Sequence, residues 1–288
     1  MKTFLKKISV IVLVLIIISA VMVITAYATK KRILRYNISP NSHIIFVGNS
    51  QFETAINDSM LVGASNVAKS AKQYMMMRID IENLLDVNPR IDTVFLVVSP
   101  FSLRETDADR SYEDATYLES ITYYAPYMSI ADYEELPNAK PFVKDLLLGG
   151  CLKYIINSQP CGAYLFNTRD DMAADKKKHA RAKNDNVDAV HNGNKITQHQ
   201  LALISDICKK AGVKLIYLST PNWDAKNVYD LKYFRKQVAQ LQRSSGADYW
   251  DYVDYQLPDT CFSDMTHLNW RGARVFTSLL KKRLETKE

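Results

Sequence analysis

A short apolar stretch that ends at a glycine and a serine constrains the fold of this chain more than any other feature. Residues 44–47 read Ile-Ile-Phe-Val, a continuous and partly β-branched apolar run, as expected for a strand covered on both faces. Gly48 follows directly, and glycine adopts backbone angles closed to other residues, so we expect a sharp turn there. The turn would hold Ser50 at the carboxyl end of the strand, where open α/β sheets bind their ligands.

The rest of the chain alternates between strand and helix patterns. Further strands are predicted at residues 62–68, 91–98, 213–221 and 247–252, the last of them more exposed, and helices at 73–88, 196–211, 230–244 and 269–284. Strands that alternate with helices indicate a parallel sheet with helices on both faces. We therefore predict a three-layer α/β/α sandwich with a mostly parallel central sheet, of the flavodoxin-like kind.

The N-terminal segment has the composition of a membrane helix. A basic tail, residues 1–7, precedes an apolar run, residues 8–28, and no charge occurs before Lys30. A run of roughly 20 residues suits a transmembrane anchor. Residues 26–28, Ala-Tyr-Ala, also have the form of a signal-peptide cleavage site. Both interpretations predict an extracytoplasmic domain, in a single-pass membrane protein or in a protein secreted after signal cleavage.

One large domain follows the N-terminal segment. A polar connector, residues 29–42, leads into this domain, residues 43–288, which carries an irregular, Tyr-rich insertion at about 101–195. A helix is predicted within the insertion at 141–148. Its tyrosines are interpreted either as packing beneath loops or as a substrate surface, because Tyr joins an apolar body to a polar tip.

The composition excludes several classes of protein. Hydrophobic residues make up 47% and charged residues 24%, with only nine Gly and nine Pro, which argues against disordered and collagen-like chains. The net charge is +6. A basic run at 176–183 is interpreted as a solvated surface or as a site of attraction to an anionic envelope polymer or lipid headgroup. Neither a zinc-finger spacing nor a basic motif interleaved with aromatic residues occurs, so nucleic-acid binding is not predicted.

Cysteine spacing and ligating side chains give no metal or cofactor prediction. The four cysteines form no C-x-x-C pair, and Cys208 lies in a helical pattern that favours burial. Cys151 and Cys161 could pair across a short loop in an exported domain. An acidic group at 170–175 with His179 lies in a polar, exposed segment, so we predict no metal site there. No phosphate-binding glycine loop is present.

Residues near the C-terminus supply partners for the hydroxyl of Ser50. A serine hydroxyl is a weak nucleophile and needs a base that a third group orients. Asp264 and His267 stand three residues apart, just before the last predicted helix, so one turn can carry both. Asp264 would hold the imidazole while its other nitrogen faces Ser50. Each residue also has a structural interpretation, since a serine after a glycine often only forms a turn and Asp264 could cap the helix.

The order of these motifs resembles that of the SGNH (GDSL-like) hydrolase superfamily. Residues 48–50, Gly-Asn-Ser, are similar to the Gly-Asp-Ser block of that family. Residues 264–273, Asp-Met-Thr-His-Leu-Asn-Trp-Arg-Gly-Ala, match its last block, Asp-x-x-His-Leu-Asn-x-x-Gly-Ala. The resemblance spans about residues 43–284. It implies that Ser50 is the nucleophile, that His267 is the base and that Asp264 orients it, without a metal or organic cofactor.

The two middle blocks of the family pattern are altered. The oxyanion glycine of the family should fall within residues 66–71 and its asparagine within 99–102, and neither residue is present there. Loss of one oxyanion donor typically costs roughly 10²–10³ in rate. We expect the backbone amides of Ser50 and of the loop near Ser70 to act as the oxyanion donors instead.

The layout also resembles the membrane-anchored branch of the superfamily, which includes the D-alanine transfer proteins of teichoic acid modification and the alginate and peptidoglycan O-acetylation proteins. This resemblance implies a serine esterase or O-acyltransferase that forms an acyl-serine on acyl, expectedly acetyl, esters of a cell-envelope polysaccharide. Its expected partners are that polysaccharide or an acyl donor, and a multispanning membrane acyltransferase. The alternatives are a non-catalytic envelope-binding or scaffold protein on the same fold, which the altered middle blocks favour, and an unrelated flavodoxin-like module.

Overall fold

The computed structural model describes residues 2–33, 36, 38–103, 124, 127–134, 162, 164–169 and 195–286. The predicted helix at 141–148, the acidic group at 170–175 and the pair Cys151 and Cys161 lie outside these residues. The chain divides into two compact units, one formed by Met1–Arg35 with Ser111–Pro160 and the other by Tyr36–Arg110 with Cys161–Glu288.

The first unit contains the long N-terminal helix α1, Lys2–Ile33. Its apolar part, Thr3–Met22, has a mean hydropathy of 2.5 and no buried residue. By length and composition it is a candidate membrane span, although a signal sequence meets the same criteria. Of the tyrosines in the predicted insertion, Tyr124 is buried in this unit.

The second unit is built on a five-stranded parallel sheet in the order β2-β1-β3-β4-β5. The strands are β1 (Ile44–Val47), β2 (Ala64–Asn66), β3 (Thr93–Val97), β4 (Lys214–Ser219) and β5 (Asp248–Asp251). Every predicted strand is present, and the parallel sheet confirms the predicted fold class. Three aromatic side chains link β1, β3 and β5, because Phe46 stacks on Phe95 at 4.7 Å and Phe95 packs T-shaped against Trp250 at 5.0 Å.

Helices cover both faces of the sheet. They are α2 (Ser50–Ala55), α3 (Tyr74–Val87), α5 (Lys195–Ala211), α6 (Ala225–Val228), α7 (Leu231–Ser245) and α8 (Trp270–Glu285), while α4 (Ile130–Glu134) belongs to the first unit. Helix α5 contacts α3 and α7, and α8 contacts α2. Right-handed crossovers between parallel strands place these two groups on opposite faces, which gives the predicted three layers.

Burial in the helices follows their apolar periodicity. Cys208 is buried as expected, and burial raises its pKa to about 12. Val275 in the last helix is apolar but 43% exposed. The buried face of α8 runs through Ala273, Phe276 and Leu280, and one helical step turns Val275 by about 100° away from it.

The strand order sets the position of the functional site. In an open sheet of order 2-1-3-4-5 the chain reverses its direction of travel between the first and third strands, and ligands bind at that switch point. Here the switch point lies between β1 and β3, at their carboxyl ends. Ser50 lies just after the carboxyl end of β1 and therefore at this crevice.

Candidate active site

The turn after β1 presents Ser50 as the first residue of α2. Asn49 caps this helix, since its side chain accepts the backbone N–H of Gln51 at 3.1 Å. Gly48 is required by a close approach, because a Cβ atom there would lie 2.9 Å from side-chain atoms of Phe52. The sequence predicts the turn but not the six-residue helix that follows it. Ser50 is thereby half-exposed at a helix N-terminus, where the dipole favours developing negative charge.

The structure brings Ser50, His267 and Asp264 into one hydrogen-bonded chain. His267 Nε2 lies 2.7 Å from Ser50 Oγ, although the two residues are 217 positions apart. His267 Nδ1 lies 2.8 Å from Asp264 Oδ2 and 2.9 Å from Oδ1. With the imidazole proton on Nδ1, the ring donates to the carboxylate and accepts from the serine hydroxyl. This arrangement meets the geometric requirement for an activated nucleophile.

The carboxylate of Asp264 is held in its ionised form. Its Oδ1 accepts the backbone N–H groups of Thr266 and His267, both at 2.8 Å. Burial raises the pKa of Asp264, but the hydrogen bond and charge of His267 together with these two N–H groups outweigh burial and lower the pKa to about 2. At neutral pH the carboxylate is therefore charged and can stabilise an imidazolium that forms on His267.

The loop that carries His267 is closed on itself. Phe262 and Leu268 form an antiparallel bridge, and the backbone N–H of Ser263 donates to the carbonyl of His267 at 2.9 Å. These contacts make residues 262–268 a short hairpin-like loop. The aspartate and histidine are thus held by local backbone bonds before any contact with Ser50 is made.

Asn269 and Gly272 join this loop to α8. Asn269 caps the helix by accepting the N–H groups of Arg271 and Gly272, and its amide donates to the carbonyl of Thr260 at 2.8 Å. The alternative that Asp264 caps the last helix is wrong, since Asn269 does so. A Cβ atom at Gly272 would lie 2.1 Å from the carbonyl oxygen of Cys261, so only glycine allows this close approach.

The loop after β4 contacts residues beside Ser50 and beside His267, a role that the sequence does not reveal. The buried side chain of Gln51, the neighbour of Ser50, donates from Nε2 to Asn222 Oδ1 at 3.3 Å. The backbone N–H of Trp223 donates to the carbonyl of Met265 at 3.0 Å. A cavity of about 260 Å³ lies beside this loop, lined by Asn222, Trp223, Asp224, Tyr255, Gln256, Leu257, Asp259 and Phe262.

The predicted oxyanion donor at Ser70 is occupied. Its backbone N–H donates to Glu53 Oε2 at 2.6 Å, and its hydroxyl donates to the same oxygen. In this arrangement the Ser70 amide is therefore unavailable to an oxyanion, which corrects the expectation. The loop does lie at the site, since the N–H of Lys69 donates to the carbonyl of Gly48 at 3.1 Å. Among the described residues, none accepts the backbone N–H of Ser50, which remains positioned as a donor.

The positions of the two altered family blocks have structural roles. The Asn66 side chain is fully buried and donates to the carbonyls of Phe52 and Ile56, each at 2.9 Å, so it ties α2 to the end of β2. After β3, Ser99 and Ser102 bond to one another across a turn, and the Ser102 hydroxyl lies 2.9 Å from that of Tyr74. The side chains at these positions serve the fold. Among the described residues, no group of three or more His, Cys, Asp and Glu could hold a metal ion.

Comparison with known proteins gives similarity to solved structures alone. No protein-family model matches the chain, and no curated protein matches it. A protein of Bacteroides fragilis described as an acylhydrolase is 11% identical with a TM-score of 0.43, covering 91% of this chain and 96% of its own. A GDSL-like lipase of Bacteroides thetaiotaomicron is 11% identical with a TM-score of 0.42, covering 92% and 98%.

A third solved structure, described as a platelet activating factor of Streptococcus pneumoniae, is 13% identical with a TM-score of 0.39 and covers 96% of this chain and 99% of its own. All three TM-scores lie below 0.5, so these similarities carry no argument about the family or activity of this chain.

Proposed function

We propose that this protein is a serine esterase or O-acyltransferase that works through an acyl-serine intermediate. The observation that carries the proposal is the hydrogen-bonded chain from Ser50 through His267 to Asp264, with heavy-atom distances of 2.7 and 2.8 Å. Its position at the carboxyl edge of the sheet, beside the switch point, supports the same conclusion.

The proposed reaction has four proton transfers at His267, two in each half. Ser50 Oγ attacks the ester carbonyl while Nε2 takes the hydroxyl proton, and the backbone N–H of Ser50 donates to the oxygen that becomes negative. The carbon–oxygen bond of the ester then breaks, and the imidazolium gives its proton to the departing alcohol. In the second half, water or a sugar hydroxyl attacks the acyl carbon while His267 Nε2 takes its proton. The acyl–Oγ bond then breaks, and the imidazolium returns that proton to Ser50 Oγ.

The proposed substrate is an acyl ester of a cell-envelope polysaccharide outside the cytoplasm. The apolar span Thr3–Met22 supports this placement, because it would either anchor the chain or direct its export. A membrane-anchored enzyme could receive its acyl group from a multispanning acyltransferase, and a secreted one would hydrolyse esters without such a partner.

A non-catalytic envelope-binding protein is the second candidate function. It is favoured by the occupied amide of Ser70 and by the serine turn that stands where the family has its asparagine. Under this alternative the hydrogen bonds of His267 would only stabilise the loop that carries it.

Covalent labelling separates the two functions. The full-length chain in a mild detergent is exposed to a fluorophosphonate, which reacts with activated serines, and the adduct is located by mass spectrometry. We expect an adduct on Ser50 that disappears in Ser50→Ala and His267→Ala. Ser278→Ala, at an exposed position on α8, is the matched control and should label normally. A folded chain that takes up no label and cleaves no ester would overturn the proposed enzyme and favour the binding function.

A further inference from the structure

Residues 164–169, here called the bridging segment, connect the surroundings of the nucleophile to those of the base. The backbone N–H of Leu165 donates to the carbonyl of Glu53 at 2.7 Å, three residues after Ser50. The carbonyl of Asn167 accepts the backbone N–H of Trp270 at 2.9 Å, three residues after His267. The segment therefore forms a wall that spans from α2 to the start of α8, held by the backbone hydrogen bonds of Leu165 and Asn167.

The residue that leads into the bridging segment is also fixed. Gly162 has a φ of +83°, and a Cβ atom there would lie 2.6 Å from Cα of Val67, just after β2. Only glycine combines this backbone conformation with such close contact. Contacts with β2, α2 and α8 thus hold the segment and its flank against rigid elements of the second unit.

Two neighbouring side chains of the bridging segment are apolar and exposed although their backbone is fixed. Leu165 is 48% exposed and Phe166 is 61% exposed. The ring of Phe166 stacks on that of Trp270 with 6.2 Å between centroids, and Tyr164 meets the edge of Phe166 at 6.4 Å. The guanidinium of Arg271 lies 5.1 Å from the centroid of the Trp270 ring. These contacts hold the exposed rings in a fixed orientation. An exposed apolar patch of this kind often marks a binding site.

We infer that Leu165, Phe166 and Trp270 form the acyl-binding surface of the enzyme and accept an acyl chain of four or more carbons. The inference rests on the proposed function, because an acyl chain extends from the carbonyl carbon that Ser50 attacks. A wall between residue 53 and residue 270 lies within the reach of such a chain, and its apolar rings match aliphatic carbon better than they match a charged or hydroxylated group. The preferred substrate would then carry a longer acyl group than acetyl.

A chain-length series of 4-nitrophenyl esters tests this inference. The full-length protein in one fixed detergent is assayed with acetyl, butyryl and hexanoyl esters, and kcat/KM is compared between wild type and Phe166→Ala. Burial of one methylene group changes an equilibrium about fourfold, and a half-covered surface gives about twofold for each group. Hexanoyl carries four more methylene groups than acetyl, so we expect the hexanoyl ester to exceed the acetyl ester by about 15-fold in wild type and by about twofold in Phe166→Ala. Because every variant is measured in the same detergent, partitioning of the esters into micelles cancels in the comparison.

Two further variants and a control complete the test. Leu165→Ala should reduce the chain-length ratio in the same way, and Phe166→Leu should restore most of it, because leucine returns the apolar area. Val62→Ala is the control, since Val62 is 93% exposed and lies near the opposite, amino-terminal edge of the sheet. An equal ratio in wild type and Phe166→Ala overturns the acyl-surface inference alone. Absence of both ester cleavage and fluorophosphonate labelling overturns the proposed function and the inference with it.

Discussion

Asp264 links the chemistry of the site to the stability of the fold. Its carboxylate receives the imidazole N–H of His267 and two backbone N–H groups, so the ionised form is preferred in the folded state. Its pKa falls from 3.8 to about 2 as a result. A lowered pKa stabilises the folded state above pH 3.8, and this contribution is lost as the pH falls from 3.8 to about 2.

Asp264→Asn should therefore reduce both activity and stability. We expect ester cleavage to fall about 10³–10⁴-fold, because the amide no longer enforces the imidazole tautomer. The free energy of unfolding at pH 7 should fall by about 2 kcal/mol, and the gap to wild type should narrow between pH 4 and pH 2. Urea unfolding at several pH values measures the gap, and a gap that is constant with pH would contradict this account.

The carboxylate of Glu53 binds the backbone amide of Ser70, which could otherwise act as an oxyanion donor. Its carboxylate accepts both polar hydrogens of Ser70, at the edge of the nucleophile turn. Since one oxyanion donor is worth roughly 10²–10³ in rate, release of the Ser70 amide should accelerate acylation. We expect Glu53→Ala to react with fluorophosphonate about tenfold faster than wild type in a stopped-flow assay, while Glu53→Gln, which keeps an acceptor oxygen, stays near the wild-type rate. A slower Glu53→Ala would mean that the carboxylate supports the site instead of blocking it.

Site residues that belong to a short sequence motif could be identified from the sequence. Residues whose role depends on a contact with a distant position could not. Asp264 and His267 lie within one turn of each other, and Ser50 follows a strand and a glycine. A short motif therefore indicates each of these residues. The pair Glu53 and Ser70 is 17 positions apart and joins helix α2 to the loop after β2. No periodicity or spacing rule connects such positions, which is why the Ser70 amide was expected to be available.

At the scale of elements, the loop after β4 bonds both to α2, which begins at Ser50, and to the loop that carries His267. Asn222 accepts from Gln51 on α2, and Trp223 donates to Met265 in the loop of the base. A shift of this loop would change the separation between Ser50 Oγ and His267 Nε2. We therefore expect this loop to position the proposed catalytic groups.

Asn222→Leu should lower kcat more than it raises KM. The substitution removes the acceptor of the buried Gln51 amide, so we expect a loss of about 1–3 kcal/mol in stability and about 10–100-fold in kcat. Asn227→Ala, at an exposed position on the neighbouring helix α6, is the matched control and should retain wild-type kinetics. If Asn222→Leu loses stability but keeps kcat, the loop serves the fold alone.

Helix α8 depends on the absence of a side chain at Gly272. A Cβ atom there would collide with the carbonyl of Cys261 at 2.1 Å, so the helix would have to move away from the loop that carries His267. We expect Gly272→Ala to cost about 1–3 kcal/mol in the free energy of unfolding and to slow labelling of Ser50. Ser278→Ala on the exposed face of the same helix should change neither. Unaltered labelling of a destabilised Gly272→Ala would show that the loop keeps its geometry without α8.

The elements that the sequence predicted are the long or strongly apolar ones. Helices α3, α5, α7 and α8 match their predicted spans within one or two residues, because each shows several turns of apolar periodicity ended by a capping or breaking residue. Helix α2, with six residues, and α6, with four, were not predicted. A helix of one or two turns contains too few residues to display a period, so only the tertiary structure reveals it.

At the scale of the whole molecule, the proposed placement outside the cytoplasm can be measured directly. A reporter that is active only after export, fused after residue 288, should be active, and a reporter that needs the cytoplasm should be inactive. Extraction of membranes at alkaline pH then distinguishes an anchor from a cleaved signal, since only an anchored chain stays with the bilayer. Activity of the cytoplasmic reporter would contradict the extracytoplasmic proposal.

The overall architecture was predictable because it depends on a pattern that runs through the whole chain. Alternating strands and helices require parallel strands and crossovers, so the layers follow from the sequence. The order β2-β1-β3-β4-β5 did not follow, because apolar runs such as 44–47 and 93–97 carry no information about which strand lies beside which. The bridging segment at 164–169 was also hidden, since it has neither a period nor a motif.

The separation of Ser50 from His267 by 217 positions has a consequence for the life of the chain. The serine follows the first strand and the histidine lies after the fifth, so a nascent polypeptide holds both only once every strand of the sheet has been synthesised. A ribosome that stops before residue 267 leaves a product without the proposed base. The proposed acyl transfer would thus be withheld until the whole sheet has been made.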